Sequence, residues 1–193
     1  IRQFMSFKVK SHIMIMKRSL WIAVALMGLC SQPVVAQHIS VKTNVLSDLG
    51  LVPNIGTELV IGEKTSLNVE LMGTVAKPWG LDMEMAMGSL QYRYWISKRS
   101  LTQLFVGAGL KAGAYTYNNK NGLYRADMAA AEIVTGYAWP LSKRWNLEVQ
   151  YGWGLLMRYA NDMPAAEGAT SQPGMKYDIA TTSIGVNFVY ILK

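Results

Sequence analysis

The stretch Leu90-Gln91-Tyr92-Arg93-Tyr94-Trp95-Ile96 decides the fold class, because apolar and polar side chains alternate along it. The same alternation occurs in Leu67-Asn68-Val69-Glu70-Leu71. A period of two places successive side chains on opposite faces of a β-strand, whereas an amphipathic helix needs apolar residues three to four positions apart. The pattern therefore predicts strands with one polar and one apolar face.

The same alternation, followed in both directions along the chain, predicts eight strands. They cover residues 38–47, 53–62, 65–75, 88–97, 102–113, 128–139, 145–156 and 177–191. Most are about ten residues long, which exceeds the roughly five to six residues usual in globular proteins. It matches the ~9–11 residues that a tilted strand needs to cross a membrane.

The links between the predicted strands differ in length in a regular way. Short links follow the even-numbered strands, at residues 62–64, 97–100 and 141–144. Long polar links follow three of the four odd-numbered strands, at residues 76–87, 114–127 and 157–176, and the short link 48–52 is the exception. Short turns at one end and long loops at the other are typical of outer-membrane barrels. The sequence therefore predicts an all-β fold for residues 37–193, an eight-stranded antiparallel transmembrane up-and-down β-barrel.

The polar face of the predicted strands carries about one charge per strand, interleaved with glycines. A water-facing surface would carry many more Lys and Glu residues, whereas nearly balanced charges and small residues suit the narrow interior of such a barrel. The opposite face, which includes Ile55, Leu71 and Val106, carries no charge, as contact with lipid requires. We therefore predict that seven structural charges point into the lumen: Lys42, Glu58, Glu70, Arg93, Lys111, Glu132 and Glu148.

Aromatic residues near the strand ends are predicted to form two belts at the membrane interfaces. One belt contains Tyr94, Trp95, Trp139, Trp145, Phe188 and Tyr190, and the other contains Trp79, Tyr115, Tyr151 and Trp153. An alternative stays open, because a soluble lipocalin-like barrel with an apolar cavity and a polar surface alternates equally well.

Residues 16–36 are predicted to be a secretory signal peptide. A basic start is followed by the apolar run 20–29 and by a small-residue cleavage site that ends at Ala36. The ten-residue run is about half the ~20 residues that a membrane-spanning helix needs. Residues 1–15 are expected to be upstream translation, with the start codon at Met16 or Met14.

The net charge of +7 comes mostly from residues 1–36, since five basic and no acidic residues precede residue 37. The rest of the chain has 14 basic against 12 acidic residues, so we expect no nucleic-acid partner. The only cysteine, Cys30, would be removed with the leader, which leaves the mature chain without disulfides or thiolate ligands. Lipid attachment at Cys30 is the alternative, and the bulky Leu29 before it argues against that.

Four segments resemble a known family, the outer-membrane barrels described as domain-of-unknown-function family 3575. The segments are Ile39 to Leu46, Pro53 to Glu58, Gln91 to Trp95, and Ser183 to Tyr190. The resemblance implies location in the outer membrane and a link to fimbriae or other surface structures, because genes of this family often lie beside fimbrial genes. It implies no catalytic residues.

The sequence offers no constellation for catalysis. His12 lies in the leader, and His38 is the second residue of the predicted mature chain, far from the loops. Zinc, calcium and nucleotide spacings are absent from the sequence, so we predict a non-enzymatic protein without cofactors or metals. A lipid-modifying envelope hydrolase with a serine, a histidine and a carboxylate is a further alternative.

Binding is expected in the long links, since loops carried by a rigid barrel are the usual place for it. Aromatic and amide groups in the link 114–127 suit surface proteins, fimbrial proteins or glycans, and outer-membrane lipid would surround the barrel. The candidate contact residues are Tyr115, Tyr117, Asn118, Asn119 and Tyr124. The predicted function is a surface or scaffold protein that serves fimbrial or envelope assembly.

Overall fold

Eight strands and one short helix follow each other along the chain. This computed structural model describes residues 38–74, 82–97, 99–119, 122–164 and 174–192, and only the backbone for 119, 122–124 and 160–164. The elements are β1 (Ile39–Asn44), α1 (Val45–Leu49), β2 (Asn54–Gly62), β3 (Thr65–Thr74), β4 (Asp82–Trp95), β5 (Gln103–Asn119), β6 (Gly122–Pro140), β7 (Trp145–Pro164) and β8 (Gly174–Ile191). Residues 1–15, the predicted upstream translation, and residues 16–36, the predicted signal peptide, lie outside the described residues.

Each strand pairs with the next strand along the chain, and β1 pairs with β8, so that the sheet closes into a barrel. All eight pairings are antiparallel. The predicted all-β fold with eight antiparallel up-and-down strands is therefore confirmed.

The wall of the barrel has very different heights on its two sides. Strands β1, β2 and β3 have 6, 9 and 10 residues and form what we call the low wall. Strands β5 to β8 have 17 to 20 residues and form the tall wall, with the 14-residue β4 between the two. We call the end with the short turns β2–β3, β4–β5 and β6–β7 proximal, and the opposite end distal.

Much of the sequence predicted as long loops is strand. β5 runs to Asn119 and β6 starts at Gly122, so only residues 120–121 separate the two strands. The ladder continues through pairs such as Tyr115 with Ala126 and Thr116 with Arg125. Backbone groups that would need water in a loop are bonded across this hairpin instead. The predicted link 157–176 is likewise shortened, because β7 reaches Pro164 and β8 begins at Gly174.

β1 ends earlier than the predicted residue 47, because α1 begins at Val45. The side chain of Asn44 caps this helix by accepting a hydrogen bond from the Leu46 N–H at 3.1 Å. Asp48 in the helix accepts hydrogen bonds from the Thr43 hydroxyl at 2.6 Å and from the Asn54 amide at 2.9 Å. In the described part of the chain, no helix has the length and apolar character needed to cross a membrane.

An apolar cluster fills the proximal end of the lumen. It contains Val60, Trp95, Leu101, Phe105, Val134 and Ala138. The rings of Trp95 and Phe105 lie 4.9 Å apart, and Leu101 is inserted from the β4–β5 turn with a positive φ of 64°. The Asn146 side-chain amide donates a hydrogen bond to the Leu101 carbonyl at 2.6 Å. This cluster, which we call the floor, closes the proximal end of the barrel.

Candidate functional site

The lumen above the floor holds a ring of alternating charges. Lys42 Nζ donates to Glu58 at 2.6 Å and to Glu148 at 3.3 Å, and Arg93 Nη1 donates to the same carboxylates at 2.9 and 3.1 Å. All four side chains are buried. Two cations and two carboxylates cancel each other, and each carboxylate has further partners, namely Ser66 for Glu58 and Asn187 for Glu148. A buried charge cluster is tolerated only when it is paired and hydrogen-bonded in this way.

Arg93 is the centre of the ring. Its Nε and Nη2 donate to the Gln91 side-chain oxygen at 3.1 and 2.8 Å, and Nη2 also donates to Gln150 at 2.6 Å. The guanidinium lies over the ring of Phe105, 4.4 Å from its centroid. Together with the two carboxylates, these contacts engage all three nitrogens of a side chain with no exposed surface. Arg93 therefore joins the charge ring to the floor.

Two glycines make room for these side chains. A Cβ atom at Gly56 would lie 2.8 Å from Lys42 Cγ, and one at Gly136 would lie 2.5 Å from Phe105 Cζ. Both distances are shorter than carbon atoms tolerate without a shift of their neighbours. The glycines on the polar face thus provide space for the long lumen side chains.

A second cluster lies at Lys111. Its ammonium donates to the Thr182 carbonyl at 2.6 Å and to the Ser183 hydroxyl at 2.7 Å, and lies 3.9 Å from Glu132. The Thr182 carbonyl is available because the β7–β8 register shifts there, with Gly152 opposite Ser183 and Trp153 opposite Thr181.

Gln91 connects the two clusters, because its amide nitrogen donates to Glu132 at 2.9 Å while its oxygen accepts from Arg93. Glu70 is buried on the same inner face. The structure thus places all seven predicted lumen charges inside the barrel, with Lys111 the least enclosed. The amides of Gln91, Gln150 and Asn187 were not predicted, although each occupies the polar phase of its strand.

The predicted proximal belt contains one error. Trp95 has no exposed surface and donates from its indole nitrogen to Ser66 at 2.8 Å inside the lumen. It lies two residues after Arg93 and therefore points to the same side of β4. Tyr94, Trp139, Trp145 and Phe188 are exposed on the outside, and Trp79 lies outside the described residues.

The outer face of the barrel exposes large apolar side chains on every side. Ile55, Leu71, Leu110 and Ile184 are between 58% and 63% exposed. Apart from the seven lumen charges, the charged residues of the described strands all lie at the distal ends of β4, β6, β7 and β8: Asp82, Glu84, Arg125, Asp127, Arg158, Asp162, Lys176 and Asp178. Monomeric soluble proteins rarely expose contiguous apolar patches larger than a few hundred Å². A lipocalin-like barrel would have the opposite arrangement, with an apolar interior and a charged surface.

The predicted loop contacts lie on the β5–β6 hairpin and not in a loop. Tyr115 and Tyr117 are half-buried on β5, Asn118 is exposed and donates to Asp82 at 3.4 Å, and only the backbone of Asn119 and Tyr124 is described. The loop interpretation was wrong because polar residues such as the run of Asn and Lys also occur at the end of a long hairpin. The tall wall therefore carries these residues on a regular sheet.

A cavity of about 200 Å³ lies above the Lys111 cluster, between strands of the tall wall. Met87, Met128 and Leu156 provide apolar walls, and Lys111 and Thr182 also line it. His38, the candidate base of the hydrolase alternative, is exposed before β1 at the proximal end. Among the described residues, no three His, Cys, Asp or Glu side chains come together as a metal site would require.

Comparison with known proteins identifies a family. A family model described as "Protein of unknown function (DUF3575)" matches residues 20–192, nearly the whole chain. No curated protein and no solved structure matches.

Proposed function

Because the chain belongs to the DUF3575 family of proteins of unknown function, we propose its function from the barrel itself. The protein is a non-enzymatic outer-membrane barrel whose filled lumen serves as a rigid support. The distal part of the tall wall projects from the membrane and is the contact surface for partners. The leader ending near Ala36 directs export, and barrel insertion follows.

The observation that carries this proposal is the separation of charge and apolar surface. The outward faces of all eight strands are apolar between the proximal turns and the distal charges, and the ionised groups lie inside. A Lys or Arg on the lipid-facing side at the bilayer midplane costs about 2–4 kcal/mol. An outward face without charges is therefore required for contact with lipid. In water, such a face would not stabilise the protein.

The lumen supports a scaffold role in preference to transport. The floor closes the proximal end, and the ring of Lys42, Glu58, Arg93 and Glu148 lies across the middle of the barrel. Barrels of eight strands have interiors that side chains can fill. Recognition of partners then falls to the exposed distal surface.

The resemblance to barrels with fimbrial gene neighbours supports a narrower proposal. The partners of the distal tall wall belong to a fimbria or to another surface structure under assembly. Crosslinking on intact cells from engineered positions on the β5–β6 hairpin, with identification of the attached protein, tests this. Attachment only to proteins unrelated to surface structures would contradict the narrower proposal and leave the barrel proposal intact.

Membrane fractionation tests the main proposal. We expect the protein to stay with the outer-membrane fraction after carbonate or high-salt washing and to be released by detergent. The mature N-terminus should lie near Gln37, as protein sequencing would reveal. Release by carbonate alone would exclude an integral barrel and would favour a soluble or peripheral protein.

A further inference from the structure

β8 extends much farther in the distal direction than its neighbour β1. The β1–β8 ladder runs from Ser40 opposite Ile191 to Asn44 opposite Asn187. Beyond that pair β8 continues to Gly174, and its register partners there lie only on β7. The tall wall therefore ends in a strand edge that no described strand covers.

The side chain of Asn44 hydrogen-bonds the first backbone groups of β8 beyond the β1–β8 ladder. Its Oδ1 accepts from the Val186 N–H at 3.3 Å, and its Nδ2 donates to the Ile184 carbonyl at 3.2 Å. A side-chain amide thus makes the two bonds that the next residue of a strand would make. β1 ends at this point and the following helix α1 also contacts β8, so strand-like bonding to β8 covers one step only.

At the next position along the edge, the backbone carbonyl of Thr182 is also satisfied, because the register shift turns it away from the edge. The carbonyl points into the lumen and is bound by Lys111 at 2.6 Å. Within the described residues, the part of the edge that no strand pairs with is therefore Gly174–Thr181. A strand edge presents alternating N–H and C=O groups, and another strand is the structure that satisfies such a row completely.

The side chains of this segment alternate as in an inner strand of the barrel. Met175, Tyr177 and Ile179 point outward and are 58%, 58% and 78% exposed. Lys176 and Asp178 alternate with them, and Asp178 accepts from Arg158 at 3.1 Å. Proline, which would block pairing, is absent from residues 174–181. An added strand would extend the apolar outer face if its own apolar residues also pointed outward.

A second copy of this chain does not fit the edge. Antiparallel pairing of two β8 strands would point the second barrel in the opposite direction, and two barrels in one membrane share one orientation. Parallel pairing of two β8 edges would turn the second sheet over, so that its Lys176 and Asp178 would continue the apolar face of the first. The occupant must then be an extended segment of a different protein, as in strand addition to sheet edges generally.

We propose that an extended segment of a partner protein pairs with the β8 edge Gly174–Thr181 as an additional strand. The segment alternates apolar residues, which lie beside Met175, Tyr177 and Ile179, with polar residues on the other face. This recognition mode rests on the proposed contact role of the tall wall and gives it a location.

Hydrogen exchange on the full-length protein purified in detergent tests the pairing. The probe is a synthetic peptide with two tandem copies of β1 (ISVKTN), because β1 is the strand that pairs with the proximal part of this edge. Alternate amides of residues 174–181 bond to β7, and the others face the edge. We expect these edge-facing amides to exchange faster than those of β7 without peptide, and to slow at least about tenfold with saturating peptide. Edge-facing amides that are already protected in the free protein, or that the peptide leaves unchanged, would overturn the proposal.

Matched variants distinguish pairing at the strand edge from nonspecific hydrophobic binding of the peptide. Met175→Lys with Ile179→Lys places charges beside the apolar face of the added strand and should weaken peptide binding at least about tenfold. Tyr159→Lys is the control, because Tyr159 pairs with Met175 on the same face but lies on the inner strand β7. Equal loss in both would contradict edge pairing. Because the test uses detergent-solubilised protein, its failure is distinct from failure of the membrane fractionation.

Discussion

The low wall and the tall wall of this barrel share the same alternating strand pattern but differ in length and in what their distal ends carry. β1 to β3 are 6 to 10 residues long and end at the distal rim of the low wall, where α1 and its Asn44 cap lie. β5 to β8 continue for 17 to 20 residues, and the added length of β6 to β8 carries charged residues together with exposed apolar residues such as Met175 and Tyr177. The length of the low wall is sufficient to close the barrel, and the additional length of the tall wall is where we propose that partners bind.

The largest effect is expected where the two walls are joined. Arg93 on β4 binds Glu58 of the low wall and Glu148 of the tall wall, and Arg93→Ala leaves both carboxylates with one cation fewer. Loss of one partner from a buried ion cluster costs about 3–5 kcal/mol. We expect a large drop in the melting temperature, measured by heat-modifiable migration on gels, with the protein still in the membrane fraction. Unchanged heat stability would show that the walls do not depend on this link.

A smaller loss is expected from crowding on the tall wall alone. Gly136→Ala would place a methyl group against the backbone oxygen of Val149 and 2.5 Å from the Phe105 ring at the floor. Overpacking of this kind costs about 1–3 kcal/mol. Urea unfolding in detergent measures it, and Gly88→Ala is the control, since a Cβ there meets only the flexible Leu71 side chain at 3.2 Å. Equal effects at both positions would mean that the floor is not closely packed.

The seam between the walls is the next target. Asn44→Ala removes the α1 cap and both bonds to the β8 edge. Loss of a helix N-cap costs about 0.5–2 kcal/mol. The specific expectation is faster hydrogen exchange at the Val186 amide with little change in the β6–β7 ladder. A uniform change across all strands would contradict the local role of Asn44.

The smallest effect is expected in the distal part of the tall wall. Arg158→Ala breaks the ion pair with Asp178, in which both side chains are 40% or more exposed. Exposed pairs contribute about 0–1 kcal/mol. The melting temperature should therefore stay close to that of the wild type, in contrast to Arg93→Ala. A loss as large as that of Arg93→Ala would show that the distal sheet takes part in the folding core.

Much of the barrel could be predicted because alternation and charge act together. A charge on a membrane-facing strand must point inward, so that Lys42, Glu58 and Arg93 identified the inner face without any knowledge of contacts. Their partners could not be assigned in the same way, because pairing across the lumen depends on the register of strands distant in sequence. Arg93 and Glu148, for example, lie on β4 and β7.

The errors have physical causes too. The link 114–127 resembles a loop in composition, but a ladder is decided by backbone pairing, which polar side chains at a distal hairpin do not prevent. Trp95 was assigned to the outer belt because tryptophan is common there, although its spacing from Arg93 placed it inside. The helix cap at Asn44 could not be predicted, because its only sign in the sequence is a single amide residue before two apolar residues.

The short β1–β8 ladder has a consequence for how the barrel is made. Five residue pairs join these strands, whereas nineteen join β6 and β7. The sheet β2 to β8 can form progressively from local hairpins, while the contact between the first and last strands closes the longest loop in the chain. Pairing of β1 with β8 is therefore the step that completes the cylinder during folding.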